Sequence, residues 1–156
     1  MTQNSILLRQ VDATGRQIRE VQMERAAIPP MRRLSDLVAM LQEHAALSAQ
    51  VLAGNAKGEP RRAALKHDIE RIQSRTRPAA DGWQHLSADW GYLAQAVDLR
   101  ALPAAECADW HAALIRQYKT FMHEMEALDG RLARRVEDLR SQQRRNLGAG
   151  LDLLCG

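Results

Sequence analysis

Apolar residues recur every three or four positions along most of this chain, and this spacing predicts helices that each bury one face. The clearest example lies between Glu24 and Asn55, where polar residues fill the positions between the apolar ones. Prolines 29 and 30 precede this stripe and a Gly-Asn pair follows it, so the predicted helix covers residues 30 to 53. Its apolar members are Leu34, Leu37, Val38, Leu41, Ala45 and Leu52.

Three further segments show the same periodicity. The first covers residues 4 to 27 and has a thin apolar stripe. The second covers residues 60 to 99 and is interrupted around Pro78, which predicts either one kinked helix or two shorter helices with a break near Thr76. The last covers residues 104 to 145.

The final segment has the most regular stripe in the chain. No register shift occurs at Asp129-Gly130, so we expect one continuous helix there. The glycine-rich tail 147–156 is expected to fray, and the alternative is that Leu151, Leu153 and Leu154 dock on a neighbour. A stripe of this length is typical of a bundle or coiled-coil seam. The seam residues are Trp110, Leu114, Tyr118, Phe121, Met125, Leu128, Leu132, Val136 and Leu139.

The composition agrees with an all-α fold. Apolar residues make up 46% of the chain and aromatic residues only 4%, and no run alternates β-branched or aromatic residues with polar ones. We therefore expect a single domain over residues 1–156, an antiparallel up-and-down helical bundle of about four helices, with long kinked helices. Residues 1–28 and the tail 147–156 are expected to be peripheral.

Charge narrows the set of partners. The chain has 22 basic and 19 acidic residues, a formal net charge of +3, and the charges are spread along it. This pattern lacks the concentrated basic face with aromatic or polar readers that nucleic-acid binding needs, so no nucleic-acid partner is expected. The arginines near the C-terminus suit a helix end and a solvated surface: Arg131, Arg134, Arg135, Arg140, Arg144 and Arg145.

Targeting signals are also missing from the sequence as given. No run of about 18 apolar residues is present, and the N-terminus lacks the basic-then-apolar order of a signal peptide. We therefore expect no membrane span and a cytoplasmic location, or a periplasmic one if the chain is an excised sensor domain. Cys107 and Cys155 lie far apart in the sequence, and both free thiols and a disulfide remain open.

The sequence shows none of the residue arrangements that catalysis or metal binding usually requires. Two H-x-x-E steps, at His67 and His123, place an imidazole and a carboxylate on one helix face, but nothing completes a metal-binding set, so we expect no metal and no cofactor. No Ser-His-Asp, Cys-His or paired-carboxylate arrangement follows from helical spacing, so an enzyme is not expected. Trp83 and Trp90 are core residues in the simplest interpretation, or walls of a cavity between helices.

One stretch resembles a known class of domain. A basic pair, a turn of apolar residues, the pattern L-Q-x-H-x-x-L-S-A and a Gly-Asn stop are similar to the periplasmic helical-bundle sensor domains of bacterial chemoreceptors and diguanylate cyclases, and to the related nitrate- and nitrite-sensing domain. The resemblance implies an all-α sensor without catalytic residues. It also implies an anion-binding arginine at the position of Ala45, where alanine supplies neither charge nor donors.

With that arginine replaced, the candidate ligand-binding residues are Arg33, His44 and Ser48, since Ser48 lies one turn beyond His44 on the same face. His44 and Ser48 also fit ordinary residues on the flank of a helix. The sequence thus points to a non-enzymatic, sensor-like signalling domain that binds a small ligand, such as an anion, or a partner helix. The alternative is a structural or adaptor bundle that forms a homodimer through the seam or contacts other proteins.

Overall fold

The computed structural model describes residues 3–76 and 82–155, with the side chains of Asn4 and Leu153 left aside. Five α-helices and one short 3-10 turn account for nearly all of these residues, and no strand occurs among them, which confirms the all-α helical bundle. The helices are α1 (Gln3–Ala26), α2 (Met31–Leu52), α3 (Glu59–Arg75), α4 (Gly82–Asp98) and α5 (Ala104–Cys155), and the 3-10 turn covers Ala56–Gly58.

Most helix boundaries agree with the apolar periodicity. The long segment from 60 to 99 forms two helices, because α3 ends at Arg75 and Thr76 is extended with φ −97° and ψ 118°. The rest of the predicted break, including Pro78, lies outside the described residues. Helix α5 passes through Gly130 without interruption, as expected. It also continues to Cys155, so the expectation of a frayed tail is wrong for the described residues.

The chain divides into two compact units. Unit 1 contains Met1–Ile28 and Ala127–Gly156, and unit 2 contains Pro29–Glu126. The single domain predicted over residues 1–156 stays a prediction. Helix α5 contributes residues to both units, because its 52 residues cross the boundary at residues 126 and 127.

Unit 1 is an antiparallel pair formed by α1 and the C-terminal half of α5. Near the end of α1, the Arg25 Nε atom donates to Asp129 Oδ1 at 2.7 Å, whereas Leu7 near its start shares an apolar groove with Leu151. Leucines of α1 and of the last turns of α5 line this groove together, and Leu8, Leu151 and Leu154 are 61–71% exposed. The segments expected to be peripheral therefore pair with each other.

Unit 2 is a four-helix arrangement of α2, α3, α4 and the first part of α5. Residues from the second half of α2, the start of α3, the end of α4 and the start of α5 meet at one end, as successive antiparallel neighbours require. The core is filled by buried residues from all four helices, namely Leu34, Leu37, Leu41, Leu65, Ile69, Trp83, Leu86, Trp90, Leu93, Leu114, Tyr118 and Phe121.

Aromatic residues pack at the other end of unit 2. The Trp83 ring meets Tyr118 edge-on with centroids 5.9 Å apart, and lies 5.5 Å from Phe121. The Gln73 amide donates a hydrogen bond of 2.6 Å to the Tyr118 hydroxyl, which gives this buried phenol its polar partner. Trp83 and Trp90 are both core residues.

The predicted seam along α5 needs one correction. Trp110 is 41% exposed, and the buried face is continued toward the helix start by His111 and Cys107 instead. Those two residues continue the three-and-four spacing from Leu114, whereas Trp110 lies about 100° around the helix from His111. From Leu114 onward the seam is buried except for the half-buried Leu128. The seam residues up to Met125 belong to unit 2, and those from Leu132 belong to unit 1.

A residue with positive φ lies two positions beyond the end of α2 and of α4. Gly54 has φ +100°, and the next amide, that of Asn55, returns to the Gln50 carbonyl at 2.9 Å. Arg100 takes the same position after α4 with φ +53°, and its Nη1 atom donates to the Val97 carbonyl at 2.7 Å. A side-chain bond to the helix end thus helps arginine occupy a conformation that normally favours glycine.

Two glycines of unit 2 should respond oppositely to a methyl group. We expect Gly54→Ala to lower the free energy of unfolding by about 1 kcal/mol, because a Cβ atom is strained at positive φ. We expect Gly91→Ala to raise it by roughly 0.5–1 kcal/mol, because Gly91 lies within α4 and a Cβ atom there meets nothing within 4 Å. Urea denaturation of both variants measures the difference, and shifts of the same sign would contradict this account.

Candidate functional site

Unit 2 contains a cluster of polar side chains that joins all four of its helices. We call it the polar centre, and its members are His44 and Ser48 of α2, Glu59 and Arg62 of α3, Asp98 of α4, and Cys107 and His111 of α5. Four of these side chains are completely buried, those of His44, Ser48, Cys107 and His111, and Arg62 is 2% exposed. Burying so many polar groups is unfavourable unless each finds a partner, so their contacts decide what the cluster is.

The hydrogen bond of His111 to its own helix fixes its tautomer. Nδ1 of His111 lies 2.8 Å from the Cys107 carbonyl oxygen, which accepts hydrogen bonds and cannot donate them. The proton of neutral His111 is therefore on Nδ1. Its other ring nitrogen, Nε2, carries a lone pair and accepts.

His44 is then fixed by His111. Nδ1 of His44 lies 2.8 Å from that accepting Nε2, so it carries the proton and donates across from α2 to α5. Ser48 Oγ lies 3.2 Å from the same Nδ1 and shares this donor. Nε2 of His44 then accepts from Nη1 of Arg62 at 3.3 Å. The result is a one-way chain of donors from Arg62 through both imidazoles to the Cys107 carbonyl.

Arg62 anchors this chain to two carboxylates. Its Nε and Nη2 atoms donate to the two oxygens of Glu59, each at 2.7 Å, and Nη2 also donates to Asp98 at 2.7 Å. Lys66 pairs with the other Asp98 oxygen, and Arg100 lies 3.6 Å from Glu59. Every nitrogen of the Arg62 guanidinium thus has a partner, which is the condition under which a buried charge is tolerated.

The two carboxylates differ in their place on the helices. Glu59 is in the first turn of α3, where the helix dipole favours a negative charge. Asp98 is the last residue of α4, where the dipole disfavours one. The cations of Arg62 and Lys66 offset that unfavourable position, so the α4 terminus is held to α3 by charge.

The surroundings lower the pKa values of both imidazoles and both carboxylates of the polar centre. Burial, the neighbouring His111 and the positive charge of Arg62 lower the pKa of His44 to about 3. Burial also lowers the pKa of His111, and Arg62 acts in the same direction. The hydrogen bond to Arg62 lowers the pKa of Glu59. Burial works against ionisation of Asp98, but hydrogen bonds from Lys66 and Arg62 bring its pKa below the usual value.

A cysteine and a histidine do meet here, which helical spacing was expected not to provide. Cys107 Sγ lies 3.3 Å from Nδ1 of His111. However, burial raises the pKa of the Cys107 thiol, and the nearby imidazole nitrogen holds its proton against the backbone carbonyl. An activated cysteine nucleophile needs the opposite, a lowered pKa and a free base.

The three candidate ligand residues do not form one site. His44 and Ser48 are in contact, as the one-turn spacing predicts, but both are fully buried, so the interpretation as helix-flank residues is wrong. Arg33 is exposed. It precedes His44 by eleven residues, about 16 Å along the helix, and is not part of the polar centre.

Four members of the polar centre have spacings in the sequence that point to their contacts. His111 and Cys107 extend the α5 stripe by steps of three and four from Leu114. Arg62 follows Glu59 by three residues, a spacing that pairs opposite charges on a helix. The spacing does not show that the helix faces carrying these polar residues are buried, because polar residues are normally assigned to the solvent side.

Ala45, which stands where the resembled sensing domains have an anion-binding arginine, lies outside the polar centre. Ala45 is half-buried and lines a surface groove between α2 and α5. Six of the seven residues along this groove are alanine or isoleucine: Ala45, Ala46, Ala49, Ala108, Ala112 and Ile115, with Gln42 as the polar member. The groove is therefore apolar and shallow-walled, and offers no charged group to an anion.

Two buried polar atoms of α4 have no hydrogen-bond partner among the described residues, Ser87 Oγ and Trp90 Nε1. The Trp90 ring meets His44 edge-on with centroids 4.7 Å apart. Buried atoms of this kind are usually satisfied by an internal water molecule.

Within residues 3–76 and 82–155, no group of three or more His, Cys, Asp or Glu residues has an arrangement that could hold a metal ion. In the same part of the chain, no helix has both the length and the apolar character needed to cross a membrane. Comparisons with protein-family models, with curated proteins and with solved structures gave no match. The class that the fold defines is an all-α helical bundle.

Proposed function

We propose that this chain is a non-enzymatic, sensor-like signalling domain in which unit 2 receives a stimulus and α5 carries the resulting change toward unit 1. The observation that supports this most is the polar centre. A buried network of charges and imidazoles is no more stabilising than a well-packed apolar core of the same volume, so its presence suggests a role other than stability. Its bonds join all four helices, so a change at one residue acts on every helix.

Helix α5 supplies the route for such a change. It contributes His111 and Cys107 to the polar centre and Leu132 and Val136 to the packing of unit 1. A small shift or rotation of a helix is a common way for signalling bundles to transmit binding events. The ligand is a small molecule such as an anion, or a partner helix.

The second candidate is an adaptor bundle, and the alanine-lined groove between α2 and α5 favours it. Small side chains let another helix approach closely, and helices that dock in grooves are a common mode of recognition. The seam on α5 gives less support to homodimerisation, because it is covered within the two units along most of its length.

A thermal-shift screen at pH 7 against small anions, amino acids and organic acids, combined with light scattering, separates the two. For the sensor we expect a dose-dependent rise of the melting temperature, about 5–10 °C at 100 times the dissociation constant. A flat screen together with a dimer mass would instead support the adaptor.

Substitution of Ala45 tests the resemblance to anion sensors directly. If the α2–α5 groove retains the geometry of an anion site, Ala45→Arg should bring a nitrate-dependent rise of the melting temperature of several degrees, because arginine supplies the missing forked donor. Ala63→Arg is the control, because Ala63 is exposed on α3. An intact fold with no gain of nitrate binding in Ala45→Arg would count against an inherited anion site.

A further inference from the structure

The imidazole pair of the polar centre has a property that a ligand-binding histidine does not. Both ring nitrogens of His44 and both of His111 are already used, two as donors and two as acceptors. Each N–H group donates to the next member of the chain that runs from Arg62 to the Cys107 carbonyl, so each acceptor nitrogen already faces an N–H group. A further proton therefore has no site in the closed arrangement.

We propose that the proton is the stimulus of this domain, and that its uptake by His44 and His111 opens the contacts of α2 with α3 and α5. This inference rests on the proposed sensor role and names its input. A proton on Nε2 of His44 would point at the Arg62 guanidinium, and a proton on Nε2 of His111 would point at the N–H of His44. Each uptake thus breaks one bond of the chain.

Among the described residues, charged groups from α3 and α4 and polar groups from α5 set the cost of placing a proton on the pair. From α3, Arg62 is the cation that faces His44, and Glu59 and Lys66 lie behind it. From α4, Asp98 partly compensates Arg62, and Arg100 lies beside Glu59. From α5, Cys107 offers a carbonyl oxygen and a thiol to His111. Burial, His111 and Arg62 outweigh the two carboxylates and lower the pKa of His44, whereas burial and Arg62 outweigh the backbone hydrogen bond to Cys107 and lower the pKa of His111.

In the open arrangement both imidazoles are free to take up a proton, because hydrated imidazoles bind protons with a pKa near 6.5. Below that pH the ratio of open to closed molecules therefore rises by about tenfold per pH unit for each imidazole. Between pH 7 and pH 5 this amounts to about 25-fold for one imidazole and about 600-fold for both.

Hydrogen exchange of backbone amides measures this opening. After correction for the intrinsic exchange rates, we expect protection of residues 41–48 and 107–114 to fall by about 25- to 600-fold between pH 7 and pH 5. Protection at the aromatic end of unit 2, residues 34–38 and 118–125, should be higher at both pH values, because those amides exchange only when unit 2 unfolds as a whole; it should fall by the same factor, since global unfolding also exposes both imidazoles. Equal protection at both ends would mean that unit 2 opens only as a whole, and no loss at 41–48 would mean that the pair does not respond to protons. Either result would overturn the proposal.

Matched variants isolate the two imidazoles. In His44→Gln/His111→Gln an amide offers one donor and one acceptor, as a neutral imidazole does, but does not titrate, so the acid-dependent opening should disappear. The triple variant His67→Gln/His85→Gln/His123→Gln removes the three exposed histidines and should keep it. Retention of the opening in the first variant, or its loss in the second, would contradict the assignment.

A measurement on the unmodified protein covers the case in which the double variant does not fold. Nitrogen-15 NMR at pH 7 should show both His44 and His111 protonated at Nδ1, and this tautomer should persist at pH 5 in the closed molecules. Protonation of either residue at Nε2 would overturn the chain of donors on which the proposal stands. A ligand found in the screen at pH 7 would uphold the sensor role even then, so the two failures are distinguishable.

Discussion

Replacing Arg62 by leucine is expected to lower the free energy of unfolding by about 3–5 kcal/mol. Leucine leaves Glu59 and Asp98 without their shared cation and leaves Nε2 of His44 without a donor. The loss arises from uncompensated groups in a buried site, since the transfer of leucine itself into the core is favourable.

The adjacent residue provides the control. Arg61 also pairs with a glutamate, at 2.9 Å, but its side chain is 57% exposed and that of Glu43 is 46% exposed. We expect Arg61→Leu to change the free energy of unfolding by about 1 kcal/mol or less, because solvent screens such a pair. Chemical denaturation at pH 7 compares both variants. Similar losses for the two would show that the burial of Arg62 does not matter to stability.

Acidification from pH 7 to pH 5 should lower the free energy of unfolding by about 2 kcal/mol through His44 alone. The native pKa of His44 is about 3, below the value of 6.5 that it has when unfolded, so only the unfolded state binds the proton in this range. Stability is therefore fully present above pH 6.5 and is lost as the pH falls toward 3. His111 adds a loss of the same sign, because burial lowers its pKa as well.

The carboxylates of the polar centre do not account for this change. The pKa values of Glu59 and Asp98 are lowered from 4.5 and 3.8, so their contribution is lost only at lower pH. Urea denaturation at several values between pH 7 and pH 5 gives the slope directly. A flat profile would show that the two imidazoles titrate in the folded protein as they do in the unfolded one.

The fold was accessible from the sequence because apolar spacing and turn residues agree. Pro30 immediately precedes α2, Gly54 lies two residues past its end and Pro60 lies in the first turn of α3, and each acts through a backbone property that does not depend on the rest of the molecule. The extent of α5 was underestimated at its C-terminal end. Glycines there suggested fraying, and the leucines of α1 that share a groove with the last turns are distant in sequence.

The polar centre was only partly accessible, and the reason is physical. His44 and Ser48 were selected for a resemblance and for their spacing, but their burial depends on His111 and Arg62, which come from other helices. A polar residue on a helix is assigned to solvent unless its partners are known. Trp110 shows the reverse error, because an aromatic residue was assigned to the seam and its neighbour His111 occupies that place.

The two units also differ in how they can be assembled. Unit 2 is one uninterrupted stretch from residue 29 to residue 126, so even its contact between α2 and α5, from His44 to His111, joins residues only 67 positions apart. Unit 1 joins residues that are about a hundred positions apart, and closing so long a loop from an unfolded chain carries an entropic cost that grows with loop length. Folding of unit 2 shortens that loop before α1 meets the end of α5. The order of the helices therefore favours a sequence of events during synthesis in which the middle of the protein folds first and its two ends pair last.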